Sequence, residues 1–149
     1  MTRAAHEPTP SGERHAQVAE LLDRATRWAA ARADVTGLLL AGSWARGAAR
    51  PDSDVDLVLL TSAPEAYADG AWVAGLGLGA RIRTGQWGPV TEYRHLAEDG
   101  LEVEIGVAHP DWARTGPVDP GTRRVVTDGS RALYDPSGLL AALLRACES

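Results

Sequence analysis

Two carboxylates stand at the head of the most apolar segment of this chain, where Asp54-Val55-Asp56 runs straight into Leu57-Val58-Leu59-Leu60. A short, almost continuous apolar run of this kind fits a central strand covered on both faces. Strand side chains alternate, so Asp54 and Asp56 share one face, about 6.5–7 Å apart. Ionised carboxylates beside a buried strand are costly unless something compensates them. A divalent cation with oxygen ligands compensates both at once. Upstream, the apolar run Val35–Ala41 ends at Gly42-Ser43. Glycine permits a close backbone approach, and a serine hydroxyl with the N–H groups of a following helical turn can hold phosphate oxygens. Arg46 is placed to bring its guanidinium to the same oxygens. The segment therefore points to metal-assisted phosphoryl chemistry, with Gly42, Ser43 and Arg46 as phosphate-binding residues and Asp54 and Asp56 as metal ligands.

Nucleotidyl transfer of this kind uses two cations about 3.5–4 Å apart, and Mg²⁺ favours hard oxygen donors with substrate phosphates. A third carboxylate on a neighbouring strand would complete the set. The source is Leu101-Glu102-Val103-Glu104-Ile105, where two glutamates alternate with apolar residues and so share a face. Glu104 lies nearer the middle of the strand and is the expected ligand; Glu102 is the fallback. The same alternation also describes a half-buried strand showing an acidic edge to water. Glu92 belongs to the adjoining strand, with its direction open.

Composition narrows the chemistry further. All 15 basic residues are arginine, which excludes a Schiff-base lysine and a Walker-type phosphate lysine. The net charge of −5 argues against wrapping a long nucleic acid, because such binding rests on neutralising phosphates. The four histidines, His6, His15, His95 and His109, form no metal-spacing motif, and no Ser–His–acid arrangement has a nucleophile elbow. Cys147 is the only cysteine, so no internal disulfide is expected. No apolar run is long enough to span a bilayer, and the first residues lack the apolar core of a secretory signal. A cytoplasmic location is expected.

The 149 residues suit one domain, expected over 11–149 behind a disordered lead-in at 1–10. Thr9-Pro10 reads as a helix start, and Val18, Leu21, Leu22, Ala25, Trp28 and Ala29 recur at helical spacing to about Ala33. Strands are expected at Val35–Ala41, Val55–Thr61, Ala80–Thr84, Val90–Leu96 and Leu101–Ala108, the last two joined by a Glu98-Asp99-Gly100 turn. Gly75, Gly77 and Gly79 lack any phosphate-loop spacing and read as a flexible connection. Arg81 and Arg83 flank Ile82 and are expected on one strand face. Trp44, Trp87 and Trp112 read first as packing residues, with stacking on a base as the alternative. Arg123–Asp128 fits helix or strand, Arg131–Tyr134 a short strand, and Ser137 the cap of a last helix. The sum is an α+β domain: a small mixed sheet with helices mainly on one face.

The order strand, Gly42-Ser43, Arg46-Gly47, loop, Ser53-Asp54-Val55-Asp56, apolar strand resembles the nucleotidyltransferase superfamily that includes DNA polymerase beta. That signature is Gly-Ser, about ten residues, then Asp-x-Asp. The resemblance implies the polymerase beta-like fold and transfer of NMP from an NTP, with ATP as the expected donor, to a hydroxyl with release of pyrophosphate. It implies two Mg²⁺ ions, for which Mn²⁺ can substitute, on Asp54, Asp56 and Glu104, and a triphosphate on Gly42 and Ser43. The family's third carboxylate is often Asp, which keeps Glu102 in view. Larger members of the kanamycin nucleotidyltransferase type add a helical domain at the acceptor; this chain is closer in size to minimal nucleotidyltransferases, some of which act as antitoxins beside a helical HEPN toxin. The acceptor, a small molecule or a protein, is then met by an open pocket or completed by a helical partner. A non-catalytic nucleotide- or partner-binding module on the same fold is the alternative reading.

Overall fold

A six-stranded mixed sheet organises the chain, and the computed structural model describes residues 8–97 and 99–148 of it. Most of the expected lead-in, and Glu98 of the expected turn, lie outside the described residues. The first helix, α1, spans Gly12–Ala30. It starts two residues later than the Thr9-Pro10 signal suggests, because the Ser11 hydroxyl accepts from Arg14 N–H at 3.0 Å and so caps the first turn. Val18, Leu21, Ala25 and Ala29 form its buried stripe.

The strands are β1 (Val35–Ala41), β2 (Val55–Thr61), β3 (Leu78–Trp87), β4 (Val90–Ala97), β5 (Glu102–Ala108) and β6 (Ser130–Tyr134). They lie in the order β3-β4-β5-β2-β1-β6. Only β2 and β5 run parallel; every other pair is antiparallel. Helices α2 (Pro120–Thr127) and α3 (Leu139–Ala146) follow β5 and β6 respectively.

Both faces of the central strands are covered. Leu38, Leu40, Val55, Leu57, Leu59, Val103, Ile105 and Val107 pack with α1 on one side. Leu39, Val58, Leu60 and Ala108 pack on the other with Trp112, Val126 of α2, and Leu140 and Leu143 of α3. The α+β mixed sheet is as expected. The helices are shared between the faces rather than gathered on one, because β1 and β2 are apolar on both sides and each side needs a cover.

Three local expectations are corrected. Residues 71–76 are not a flexible connection but a 3-10 turn that buries Trp72, Val73 and Leu76. Gly75 there lies against Trp28, where an added Cβ would sit 2.9 Å from the indole. The N-cap of α3 is Gly138, not Ser137, and the open N–H groups of Leu140 and Ala141 are taken by the Asp135 carboxylate, both at 2.9 Å. Arg81 and Arg83 do not share a face. An irregularity between them sets Arg81 opposite His95 and Arg83 opposite Arg94, so Arg81 turns back to lie 4.2 Å over the Tyr93 ring.

Candidate functional site

At the end of β1 the chain reverses on Gly42, whose φ of +78° suits glycine. Ala45 and Arg46 N–H donate to the Gly42 carbonyl, and Ala48 N–H to the Ser43 carbonyl, making one helix-like turn. Gly42 N–H is taken by the Gly129 carbonyl. Among the described residues, the N–H groups of Ser43 and Trp44 have no backbone acceptor. The loop to β2 is tied down at both ends: Arg50 N–H donates to Ser53 Oγ at 2.8 Å, and Trp44 Nε1–H donates to the Ser53 carbonyl at 3.4 Å. Trp44 also meets His15 of α1 edge-on at 5.2 Å, which packs the turn against that helix.

Strand pairing then gathers the carboxylates. The parallel register of β2 and β5 sets Asp56 beside Glu104. Asp54 precedes β2 on the same face. One oxygen from each of Asp54, Asp56 and Glu104 lies within 4.8 Å of the others, and all three side chains are half-buried. Gly42 backs directly onto this group: a Cβ there would fall 2.5 Å from Asp56 Oδ2. Glu102 is more exposed and stands outside the trio.

An arginine that the sequence pattern did not single out occupies the centre of this acidic face. Arg94 on β4 pairs directly across from Glu104 on β5. Its Nη1 donates to Asp54 Oδ2 at 2.7 Å and to Glu102 Oε1 at 3.1 Å, and its Nη2 donates to Glu104 Oε2. The Asp99-Gly100 turn was the available signal. A hairpin centred on Asp99 puts 94 opposite 104 and 92 opposite 106, and Glu92 does pair with Gly106. That settles Glu92's direction: it lies on the Glu104 face.

The electrostatics follow from this crowding. Burial, reinforced by the Asp54 and Glu104 charges, raises the Asp56 carboxyl to about 7, against the pull of Arg94 and Arg46. Glu92 is also raised to about 7, by burial first and then by its hydrogen bond to Glu104 and the charge there. For Arg94, burial disfavours the charge, yet the hydrogen bond to Asp54 and the charges of Glu104 and Asp54 more than offset it and its pKa is raised. The site thus keeps an arginine firmly charged near two carboxyls, Asp56 and Glu92, that resist ionising.

A cavity of about 520 Å³ opens beside Asp56 and Glu104, reaching Gly42, Arg46, Trp87, Trp112 and Arg124. Arg46 lines it while its Nη1 donates to the Asp128 carbonyl at 3.3 Å. Trp112 is a core residue, whereas Trp87 is 68% exposed at the rim. The structure therefore brings Gly42, Arg46, Asp54, Asp56 and Glu104 to one place, with Ser43 next to Gly42. Glu102 enters through Arg94.

Known proteins resemble this chain in sequence pattern and fold. A family model described as a nucleotidyltransferase domain matches residues 23–130. The Cid1 poly(U) polymerase structure matches with TM-score 0.50 at 17% identity, over 66% of this chain and 32% of that one. An aminoglycoside 6-adenyltransferase from Bacillus subtilis matches with TM-score 0.47 at 17% identity, over 63% of this chain and 35% of its own. A cytoplasmic RNA terminal U-transferase matches with TM-score 0.48 at 17% identity, over 80% of this chain and 34% of its own. This chain thus spans about a third of the length of these proteins. No curated protein sequence matches it.

Proposed function

The chain belongs to the nucleotidyltransferase domain family, a family of enzymes, and from that premise we propose that it transfers NMP from an NTP, ATP first, to a hydroxyl acceptor. The acceptor oxygen bonds to the α-phosphorus, the bond from that phosphorus to the bridging oxygen breaks, and pyrophosphate leaves. The observation that carries this reading is the convergence of Asp54, Asp56 and Glu104 from two parallel strands within 4.8 Å, backed by the Gly42 bend. Three carboxylates are the hard-oxygen donor set that Mg²⁺ accepts, so the residues fit the ion. Two bound Mg²⁺ ions, or Mn²⁺ in their place, supply Lewis-acid stabilisation of the charge that builds on the phosphate.

This chain's own residues do the rest. Asp54, Asp56 and Glu104 would hold the ions, and Glu104 receives the hydroxyl proton. The Ser43 and Trp44 N–H groups, the Ser43 hydroxyl and Arg46 hold the triphosphate and orient the leaving pyrophosphate. Positioning and fixed charge supply most of the acceleration, as in phosphoryl transfer generally. The acceptor is a small molecule or a protein, met in the open cavity or with a helical partner that completes it. The reading places the reaction in the cytoplasm, and the net charge of −5 argues against a long nucleic acid as acceptor. No helix among the described residues is long and apolar enough to cross a membrane.

A second reading draws on Arg94. Because it neutralises Asp54 and Glu104, the cluster is tolerable with no ion at all, which suits a nucleotide-binding or antitoxin-like module. Each α-labelled NTP, offered with Mg²⁺ and candidate acceptors, separates the two. Transfer with pyrophosphate release is expected, and Asp56→Asn or Asp54→Ala should lower it on the order of 10²–10³-fold while the fold persists. ATP binding in a calorimeter with no release of pyrophosphate would support the module instead.

A further inference from the structure

Three carboxylates bond Arg94, but only two of these belong to the trio that converges for a metal ion, and this split gives the arginine a use. We propose that Arg94 is the resident cation of the unloaded site, and that Glu102 is the partner it keeps when a divalent cation enters. The inference rests on the metal-site reading above.

In the unloaded cluster Nη1 is shared between Asp54 at 2.7 Å and Glu102 at 3.1 Å, and Nη2 is bonded to Glu104. The Arg94 side chain is 17% exposed, and its Nε is buried without a hydrogen-bond partner. A cation set among Asp54, Asp56 and Glu104 competes for lone pairs that the guanidinium already uses on two of the three. It also stands against a fixed positive charge in a poorly hydrated place. Loading therefore breaks the bonds to Asp54 and Glu104. The bond to Glu102 can survive. Glu102 shares its strand face with Glu104, two residues closer to the rim, and its side chain is 48% exposed. A cavity of about 510 Å³ lined by Arg14, Asp54, Arg94 and Glu102 gives the guanidinium room to turn toward it. Arg94 and Glu102 act as positioning residues: one holds the carboxylates in place before loading, and the other draws the first away.

The test is Mn²⁺ titration of the full chain without nucleotide, read by electron paramagnetic resonance of the free ion, with thermal unfolding alongside. Arg94→Gln should bind Mn²⁺ about 10-fold more tightly than the unsubstituted chain. Without Mn²⁺ it should unfold at a lower temperature, and Mn²⁺ should raise that temperature by more. Glu102→Gln should bind Mn²⁺ several-fold more weakly, because Arg94 then has only the trio to hold. In the double variant the Glu102 effect should vanish. Should Arg94→Gln not fold, Arg94→Met keeps the apolar stem without the charge and should likewise tighten binding. Unchanged or weaker binding in the Arg94 variants overturns the proposal. So does a Glu102→Gln effect that persists undiminished in the double variant, because Glu102 would then act on the ion itself. Equal Mn²⁺ binding by the unsubstituted chain and Asp56→Asn is a separate failure: it removes the metal site, and the inference falls with it.

Discussion

At the scale of single residues, Gly42 and Asp56 form one unit. Gly42 adopts a positive φ, and its missing Cβ leaves the space that Asp56 Oδ2 fills. Gly42→Ala should cost about 1–2 kcal/mol for the left-handed backbone alone, and more as Asp56 is pushed aside; urea midpoints measure the first effect and Mn²⁺ affinity the second. A Gly42→Ala chain with unshifted midpoint and affinity would contradict the close approach. Asp56 also sets a pH dependence. Its folded carboxyl holds its proton up to about 7, against an ordinary value of 3.8, so the metal-free native state binds that proton better than the unfolded chain does. This contribution is complete below the ordinary value and is lost as pH rises through about 7. Glu92 acts in the same direction. With EDTA present, the chain should therefore be less stable at about pH 8 than at about pH 5.5, and Asp56→Asn should flatten part of that slope. Parallel pH curves for the two chains would show that Asp56 is not the titrating group. Mn²⁺ binding should tighten with rising pH over the same window, since the carboxyl must release its proton to bind.

At the scale of elements, the irregularity in β3 divides two neighbouring arginines between different tasks. Arg81 stacks on Tyr93 and donates to the Ala68 carbonyl at 3.1 Å, which fastens β3 to the end of the short 3-10 turn Pro64–Tyr67. Arg83 reaches the other face, 4.0 Å from Glu104. Arg81→Ala should cost about 1 kcal/mol of stability and leave nucleotidyl transfer unchanged. Arg83→Ala should leave the melting temperature unchanged and alter transfer. Reversed outcomes would show that the two arginines lie in the opposite arrangement. Strand spacing alone puts 81 and 83 on one face, and a single displaced pairing undoes this because the side-chain period is two. The hairpin was more legible: Asp99-Gly100 marks the turn, and Asp99 Oδ1 accepts from Leu101 N–H at 3.1 Å. Its register, and with it Arg94 opposite Glu104, follows from where that turn is centred.

At the scale of the whole molecule, stability is unevenly spread. Strands β1, β2 and β5 are buried on both faces over most of their length, whereas β3 is largely exposed at the sheet edge. Amide exchange should be slowest in β1, β2 and β5, near the global unfolding free energy, and fastest in β3. Mn²⁺ should slow exchange at the starts of β2 and β5, where the carboxylates sit; protection confined to the far ends of those strands would place the ion elsewhere. The sequence by itself determined the pieces whose signal is local. Asp54-Val55-Asp56 on an apolar strand, Gly42-Ser43 at a strand end and the alternating Glu102 and Glu104 follow from backbone periodicity and the conformational range of glycine. Only the tertiary structure decided which glutamate joins the aspartates, because that depends on the parallel register of β2 with β5, two strands more than forty residues apart. The same pairing, with β4 alongside, decided that a guanidinium stands among the acids: side chains far apart in the chain become neighbours only when the sheet aligns them.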